Sequence, residues 1–548
     1  MTAAAGIASR PVPAIAIAPW LIVTVVAVAA GTWLRARGLD AQIVIDDEWH
    51  ALHKLMRADM LDIVTHLDYA DYSIPWTVYL RWLHDHGGVT EWGMRAPSLV
   101  AGVLLVALVP LLARSWTSTP IRATWAALLA VSPLLVQWSR TARPYALTAL
   151  LCAIAIIAFH RWWCAGRRRD HWAAAYAGAT FLAGWLHMTT LAFTLLPFVF
   201  FGVIALRLRR DALRPLLRLG VVTALPLSLA LLPPLLNDWF MFAAKAGVDS
   251  PTWTSLYRSA LMMAGTPHPL VAALLAVCTA GGALVLWRRD RLLASYLLVV
   301  MAGGTLAVIA ARPNWVQHPP VLLRYLAPIV PLLLLLTAEG LVAAVPWRRA
   351  SAQAAVIVVA AIALWAAGPL ARSREGPDQF TGHLRHTFDY DDAHNPYVLQ
   401  APRTPVPTFY REMAQLPPGS VTLIEAPWRL ESHFNPHVWY QAEHRQHVLI
   451  GLVTPVCGTW KFGEYPETYQ GIRLQRMAHL SALLRGETYG ADYLVLHLKP
   501  WSTPPGEKID WPDIGACLPA IEQVLGAPVF RDDAQVVFRL KPRTPRIG

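Results

Sequence analysis

Charge is what this chain has least of. Only 15% of its 548 residues are Asp, Glu, Lys or Arg, and 55% are hydrophobic; a soluble globular protein carries roughly 25% charged residues. The deficit sits in the first two thirds, where apolar runs of about 20 residues recur, each long enough to cross a bilayer. Cysteine is also scarce. There are five, Cys152, Cys164, Cys278, Cys457 and Cys517, with no Cys-x-x-Cys and no Cys/His zinc spacing. Cys152 and Cys278 fall inside apolar runs and read as packing residues. Cys457 and Cys517 share the polar C-terminal part and pair there if that part meets an oxidising compartment. No tandem repeat and no low-complexity tract is present. The run Ala14–Leu34 is too long for a signal-peptide core and no cleavage site follows it, so it reads as a first span.

The net charge of +12 does not point to nucleic acid, because the arginines cluster between apolar runs rather than along one stripe. The runs predict about eleven spans, near 14–34, 97–113, 122–138, 144–160, 172–187, 190–206, 216–235, 268–287, 292–310, 325–343 and 352–370. Every second loop should then hold the arginine excess of a cytoplasmic face. Those loops contain Arg114 and Arg122; Arg161 and Arg167–Arg169; Arg207, Arg209, Arg210, Arg214 and Arg218; Arg288, Arg289 and Arg291; and Arg348 and Arg349. The alternation holds along the whole series, which predicts a cytoplasmic N-terminus and an extracytoplasmic C-terminus in the inner (plasma) membrane.

Three large pieces fall on the extracytoplasmic side: residues 35–96, residues 236–267, and everything after Leu370. The first exceeds ordinary loop lengths; its amphipathic stretches Glu48–Met60 and Trp76–His86 suit helices lying in the membrane interface. The tail is polar, with short apolar runs bounded by turn residues. Val421–Ile424, Tyr493–Leu496 and Gln535–Phe538 read as strands, with helical patterns near 433–445 and 471–485. The expected architecture is a polytopic α-helical membrane domain (residues 1–370), a linker (371–399) and an extracytoplasmic α/β domain (400–548).

Candidate chemistry gathers on that side. Asp46-Asp47-Glu48 follows the first span. Burial of one carboxylate would raise its pKa and suit it to take a proton; as a plain acidic turn, the same residues would cap a helix beginning at Trp49. Asp71 precedes Tyr72-Ser73-Ile74-Pro75-Trp76, and Arg95 lies in the entry to the second span. The turn Ser139–Tyr145 carries Arg140 and Arg143 against the positive-inside bias. A phosphate or carboxylate would answer them, as would headgroup snorkelling. Arg324 and Tyr325 open the tenth span, where Arg324 could hold a phosphate at a helix N-terminus or bind a lipid headgroup. In the tail, His433 and His437 share an i, i+4 spacing near His444 and His447, either a metal site or surface histidines.

The stretch Ile45–Trp163 resembles the N-terminal half of the type-C (GT-C) glycosyltransferases that use polyprenyl-phosphate sugars, the superfamily of the protein O-mannosyltransferases and the lipid A aminoarabinose transferase. The resemblance rests on motifs in order. These are Asp47-Glu48 after the first span; Ser73-Ile74-Pro75-Trp76 and Tyr79 where the family has His-Pro-Pro and aromatic followers; Met94-Arg95-Ala96-Pro97-Ser98; and a full Ser-x-x-Ala-Arg-x-Tyr at Ser139–Tyr145. Arg324–Pro328 is similar to a later Arg-Tyr-Leu-x-Pro motif. The missing histidine leaves the acceptor class open. The resemblance implies a sugar transferase with Asp47 as base, Glu48 supporting it, Arg143 holding the acidic pair or the donor phosphate, and Arg324 on the phosphate. Arg140, Tyr145, Asp71, Arg95 and Tyr325 complete the candidate substrate site. Implied partners are membrane lipids, a polyprenyl-phosphate sugar donor, and a glycan, lipid or protein acceptor; a divalent cation is an open addition. A flippase, a glycan ligase and a non-catalytic anchor for the tail are the competing readings. The first would favour repeat symmetry and charged mid-span residues, which these spans lack.

Overall fold

Proline decides where the apolar runs bend, and glycine how closely they pack. The computed structural model describes residues 14–39, 48, 54, 58–67, 72–86, 91–167, 170–345, 349–372, 405–426, 437–449, 491–499, 514–515 and 518–540. Each expected span has a helical counterpart. In chain order the elements used below are α1 (Ala14–Ala36), α2 (Ile74–His86), α3 (Glu91–Ala107), α4 (Thr119–Val131), α5 (Pro133–Arg140), α6 (Tyr145–Cys164), α7 (Asp170–Leu186), α8 (Leu196–Leu208), α9 (Leu213–Asn237), α10 (Trp253–Ala264), α11 (Pro269–Arg289), α12 (Arg291–Ala311), α13 (Pro319–Tyr325), α14 (Val330–Ala344) and α15 (Ala350–Ala367). Among the described residues, eight helical segments are long and apolar enough to span a membrane, nine if the bent pair α4/α5 counts as one.

That pair is bent by 59°. Pro133 disfavours helical backbone at the residue before it, and Ser132 is extended (φ −67, ψ 114). The missing Pro133 N–H also strands the carbonyl of Leu129. Arg35, fully buried at the end of α1, takes that carbonyl at 3.0 Å, with Ala130 O at 3.2 Å, Gly31 O at 2.9 Å and Ser139 Oγ at 3.1 Å. Arg140 answers in the other direction. Its Nη1 donates to the carbonyls of Leu34, Arg35 and Arg37, which α1 leaves open at its C-terminus. Two arginines thus stitch α1 to the bend, and α3 closes over it: a Cβ on Gly102 would stand 1.9 Å from Ser139 Oγ.

The expected alternation of loops is visible in three dimensions. At one end of the bundle, Arg161 reaches Leu112 O, Arg289 reaches Trp116 O and the Glu339 carboxylate at 2.6 Å, and Arg167 pairs with Asp211. At the other end, the first loop meets the 236–267 segment: Leu67 N–H donates to Asp238, and the Tyr72 hydroxyl donates to Met241 O. That segment in turn meets the loop before α13, where Trp315 N–H donates to Asp249. Helix α2 falls where the second amphipathic stretch was expected. Most of the first, Glu48–Met60, lies outside the described residues.

Helices α11 and α14 approach so closely that a Cβ on Gly340 would lie 1.9 Å from Cys278 O, and one on Gly282 1.8 Å from Leu336 O. Between lipid-facing helices such backbone contact supplies packing that the hydrophobic effect does not. Gly340→Ala is therefore expected to force the pair apart and destabilise the fold by about 1–3 kcal/mol, read as a lower Tm in detergent; an unchanged Tm would show that the pair yields freely.

In the tail, strands β1 (Thr422–Ala426), β2 (His447–Leu449), β3 (Tyr493–His497), β4 (Phe530–Arg531) and β5 (Gln535–Arg539) form one sheet in the order β2-β1-β3-β5-β4. The first three are parallel, while β5 runs antiparallel to both β3 and β4. Helices α16 (Thr408–Met413), α17 (His437–His444) and α18 (Leu518–Leu525) accompany it. Its interior is unusually polar. Glu425 accepts from Tyr410 at 2.7 Å and pairs with His497 at 2.7 Å, all three buried. His444 is buried and accepts from Gln446 N–H; burial pushes its imidazole down to about 3, so it stays neutral as a packing residue rather than surface-exposed. The candidate metal partner His433, the pattern at 471–485, and Cys457 and Cys517 lie outside the described residues.

Candidate active site

The site is built on the second end of the bundle, where the first loop meets the α5–α6 turn. Glu48 and Arg95 stand 47 residues apart in the chain and form a two-pronged ion pair. Nε donates to Oε1 at 2.9 Å and Nη2 to Oε2 at 2.7 Å, with both side chains at 0% exposure. Such fork-to-fork geometry is the strong form of the interaction. Glu48 Oε1 also accepts the Ala142 N–H at 2.6 Å, and Arg95 Nη1 donates to Leu39 O at 2.6 Å. One carboxylate thus binds three pieces of chain: the end of α1 through Arg95, the entry to α3, and the turn that carries Arg143. Ser98 adds a second clasp on that turn, donating to Arg143 O at 2.7 Å.

From this clasp the Arg143 guanidinium extends over the Tyr145 ring (5.9 Å), and Arg324 lies over the same ring at 5.7 Å. Tyr325 and Tyr145 both face His187, with ring centroids 5.7 and 6.3 Å away. Two guanidinium groups, two tyrosines and a histidine from α6, the α7–α8 corner and the end of α13 therefore stand together. His318, half-buried in the loop before α13, belongs to the rim. Burial pushes its imidazole down; Asp249 raises it and Arg324 lowers it further.

The expected residues sort into three groups. Arg143, Tyr145, Arg324 and Tyr325 are brought together. Arg324 sits in the last turn of α13 and not at a helix N-terminus. Glu48, Arg95 and Arg140 are in place but committed to the scaffold: Glu48 to Arg95 and a backbone N–H, Arg140 to the carbonyls ending α1. For Glu48 the cationic partner is Arg95, where the resemblance offered Arg143 for the acidic pair. Asp47 and Asp71 lie outside the described residues. His187 was not expected; its only sequence signal is a polar residue at the end of an apolar run. Among the described residues no three His, Cys, Asp or Glu side chains stand together as a metal site; Asp46, Asp47 and Asp71, the carboxylates a cation would use, are not among them.

Residues 75–233, from α2 into α9, match the model of the dolichyl-phosphate-mannose-protein mannosyltransferase family. No curated protein matches the chain. Among solved structures it is similar to ArnT from Cupriavidus metallidurans in the apo state, at 15% identity over 96% of this chain and 98% of that one, with a TM-score of 0.48. The same protein bound to undecaprenyl phosphate gives 15% identity over 95% and 98%, also at 0.48. The Archaeoglobus fulgidus oligosaccharyltransferase is similar at 14% identity over 87% of this chain and 69% of that one, at 0.44. The family match spans the turn Ser139–Tyr145, and the other motifs flank it in order from Asp47 to Pro328: over residues 75–233 this multi-helix chain is similar to the dolichyl-phosphate-mannose-protein mannosyltransferases.

Proposed function

We propose that the protein moves a sugar from a polyprenyl monophosphate to a hydroxyl-bearing glycan, lipid or protein on the extracytoplasmic face of the inner membrane. The observation that carries this is the Glu48 clasp, which ties the loop bearing Asp47 to the turn bearing Arg143. Asp47 is the residue next to Glu48 in the sequence. Asp47 takes the proton of the acceptor hydroxyl as its oxygen attacks the anomeric carbon. The bond from that carbon to the phosphate oxygen breaks, and the polyprenyl phosphate leaves with the electron pair. Arg143 and Arg324 stabilise the charge that grows on it. One displacement inverts the anomeric centre.

In this reading residues 1–370 are the transferase domain, 371–399 a linker and 400–548 an extracytoplasmic domain, with the N-terminus cytoplasmic. The arginine-rich loops at the far end of the bundle support that orientation. Asp71 is a further substrate-site residue in this reading.

The test supplies purified protein in nanodiscs with a panel of radiolabelled polyprenyl-phosphate sugars and a crude envelope fraction. Label is expected to pass from one donor to an acceptor whose identity names the acceptor class. A panel in which every donor stays intact, or in which the lipid crosses the bilayer with its sugar attached, would instead favour the anchor or the flippase.

A further inference from the structure

We propose that His187 is a direct ligand of the donor phosphate, donating a hydrogen bond from Nε2 between Arg143 and Arg324. The inference rests on the reading above, which puts a polyprenyl phosphate at those two arginines.

His187 stands alone in an extended conformation (φ −160, ψ 105) between the end of α7 and a 3-10 turn at Met188–Thr190. The corner is held from both sides. The Thr190 hydroxyl donates to His187 O at 2.8 Å, and the Thr189 hydroxyl lies 2.7 Å from Nδ1. Nδ1 is the only acceptor the Thr189 hydroxyl meets among the described residues, so the hydroxyl donates and the ring proton sits on Nε2. Nε2 itself has no partner among the described residues. That leaves the N–H free to donate to a ligand.

The surroundings say what would accept. Tyr145 and Tyr325 hold the imidazole between them, and Arg143 and Arg324, each over the Tyr145 ring, are both near enough to act on the imidazole electrostatically. Two cations and an N–H donor gathered around one tyrosine suit an anionic ligand. The tyrosine faces leave apolar walls that suit the first isoprene units of a lipid phosphate.

The atom assigned makes the idea testable with side chains that mimic one ring nitrogen each. Gln places an amide N–H near the Nε2 position, and Asn near Nδ1. Binding of undecaprenyl phosphate to the full chain in nanodiscs would be measured for wild type, His187→Ala, His187→Asn, His187→Gln and Arg143→Ala, each first checked for wild-type Tm. Ala and Asn are expected to raise Kd about tenfold, the effect of one hydrogen bond to a charged group, with Gln close to wild type. Equal losses in Gln and Asn would overturn the inference in favour of a packing role. So would a wild-type Kd in His187→Ala beside a lost one in Arg143→Ala, which would leave the phosphate reading standing. Wild-type binding in both Ala variants would overturn that reading and this inference with it.

Discussion

Asp47→Asn is expected to lower kcat for sugar transfer by about 10²–10⁴-fold, the usual contribution of a positioned general base, while donor binding stays close to wild type. The two side chains have nearly the same shape, so the substitution removes basicity and one charge with little else. The site geometry explains why a neighbour would not substitute for it. Glu48, one residue away, has both oxygens engaged by Arg95 and one also by the Ala142 N–H, inside a cluster that water does not reach. Its lone pairs are spent on holding the chain. In the reading proposed above, Glu48 is a positioning residue and Asp47 the residue that meets substrate. The measurement is single-turnover transfer from a labelled donor, with donor affinity determined separately. A variant with unchanged kcat removes Asp47 from the chemistry. One with unchanged kcat and raised Kd would move it to donor binding.

How much of this was legible in the sequence depends on the length scale of each signal. Helices stand at the places of the expected spans, and eight of them, or nine with the bent pair, are long and apolar enough to cross a membrane among the described residues, because about 20 consecutive apolar residues are a local and redundant signal. The bend at Ser132–Pro133 was present as a proline but not drawn out, since Pro at a first helical turn and Pro at a break look alike until the next helix is seen. The three longest strands were legible as short apolar runs bounded by turn residues. The two- and three-residue strands at Phe530 and His447, and the helices Thr408–Met413 and Leu518–Leu525, were too short to stand out. Charge shows its position along the chain in the sequence, and its partners much less. Arg140 and Arg143 were both seen as cations in need of an anion. Arg140 instead meets the backbone carbonyls that end α1, and every helix has such carbonyls without any mark in the sequence. The Glu48–Arg95 pair joins residues 47 apart, and no local pattern encodes that pairing.

That pair gives the other large effect. Arg95→Ala is expected to destabilise the protein by about 3–5 kcal/mol, because it leaves a buried carboxylate without its cation. Glu48→Ala should cost a similar amount by stranding the guanidinium. The double variant Glu48→Leu/Arg95→Met behaves differently. With both charges gone, apolar side chains of comparable volume fill the same space, and stability should return towards wild type, as replaced buried ion pairs often do. Activity should not return with it. The Ala142 N–H loses its acceptor and Leu39 O loses its donor, so the loop bearing Asp47 and the turn bearing Arg143 are no longer tied to a common point. A misplacement of about 1 Å is enough to cost roughly 10²-fold in rate. Thermal unfolding in detergent and transfer from the labelled donor, measured on the same four proteins, separate the two quantities. A double variant that recovers stability and full activity would show that the clasp only holds the fold. One that recovers stability alone would show that a buried ion pair, of little net worth to folding, is kept for the position of the residue beside it.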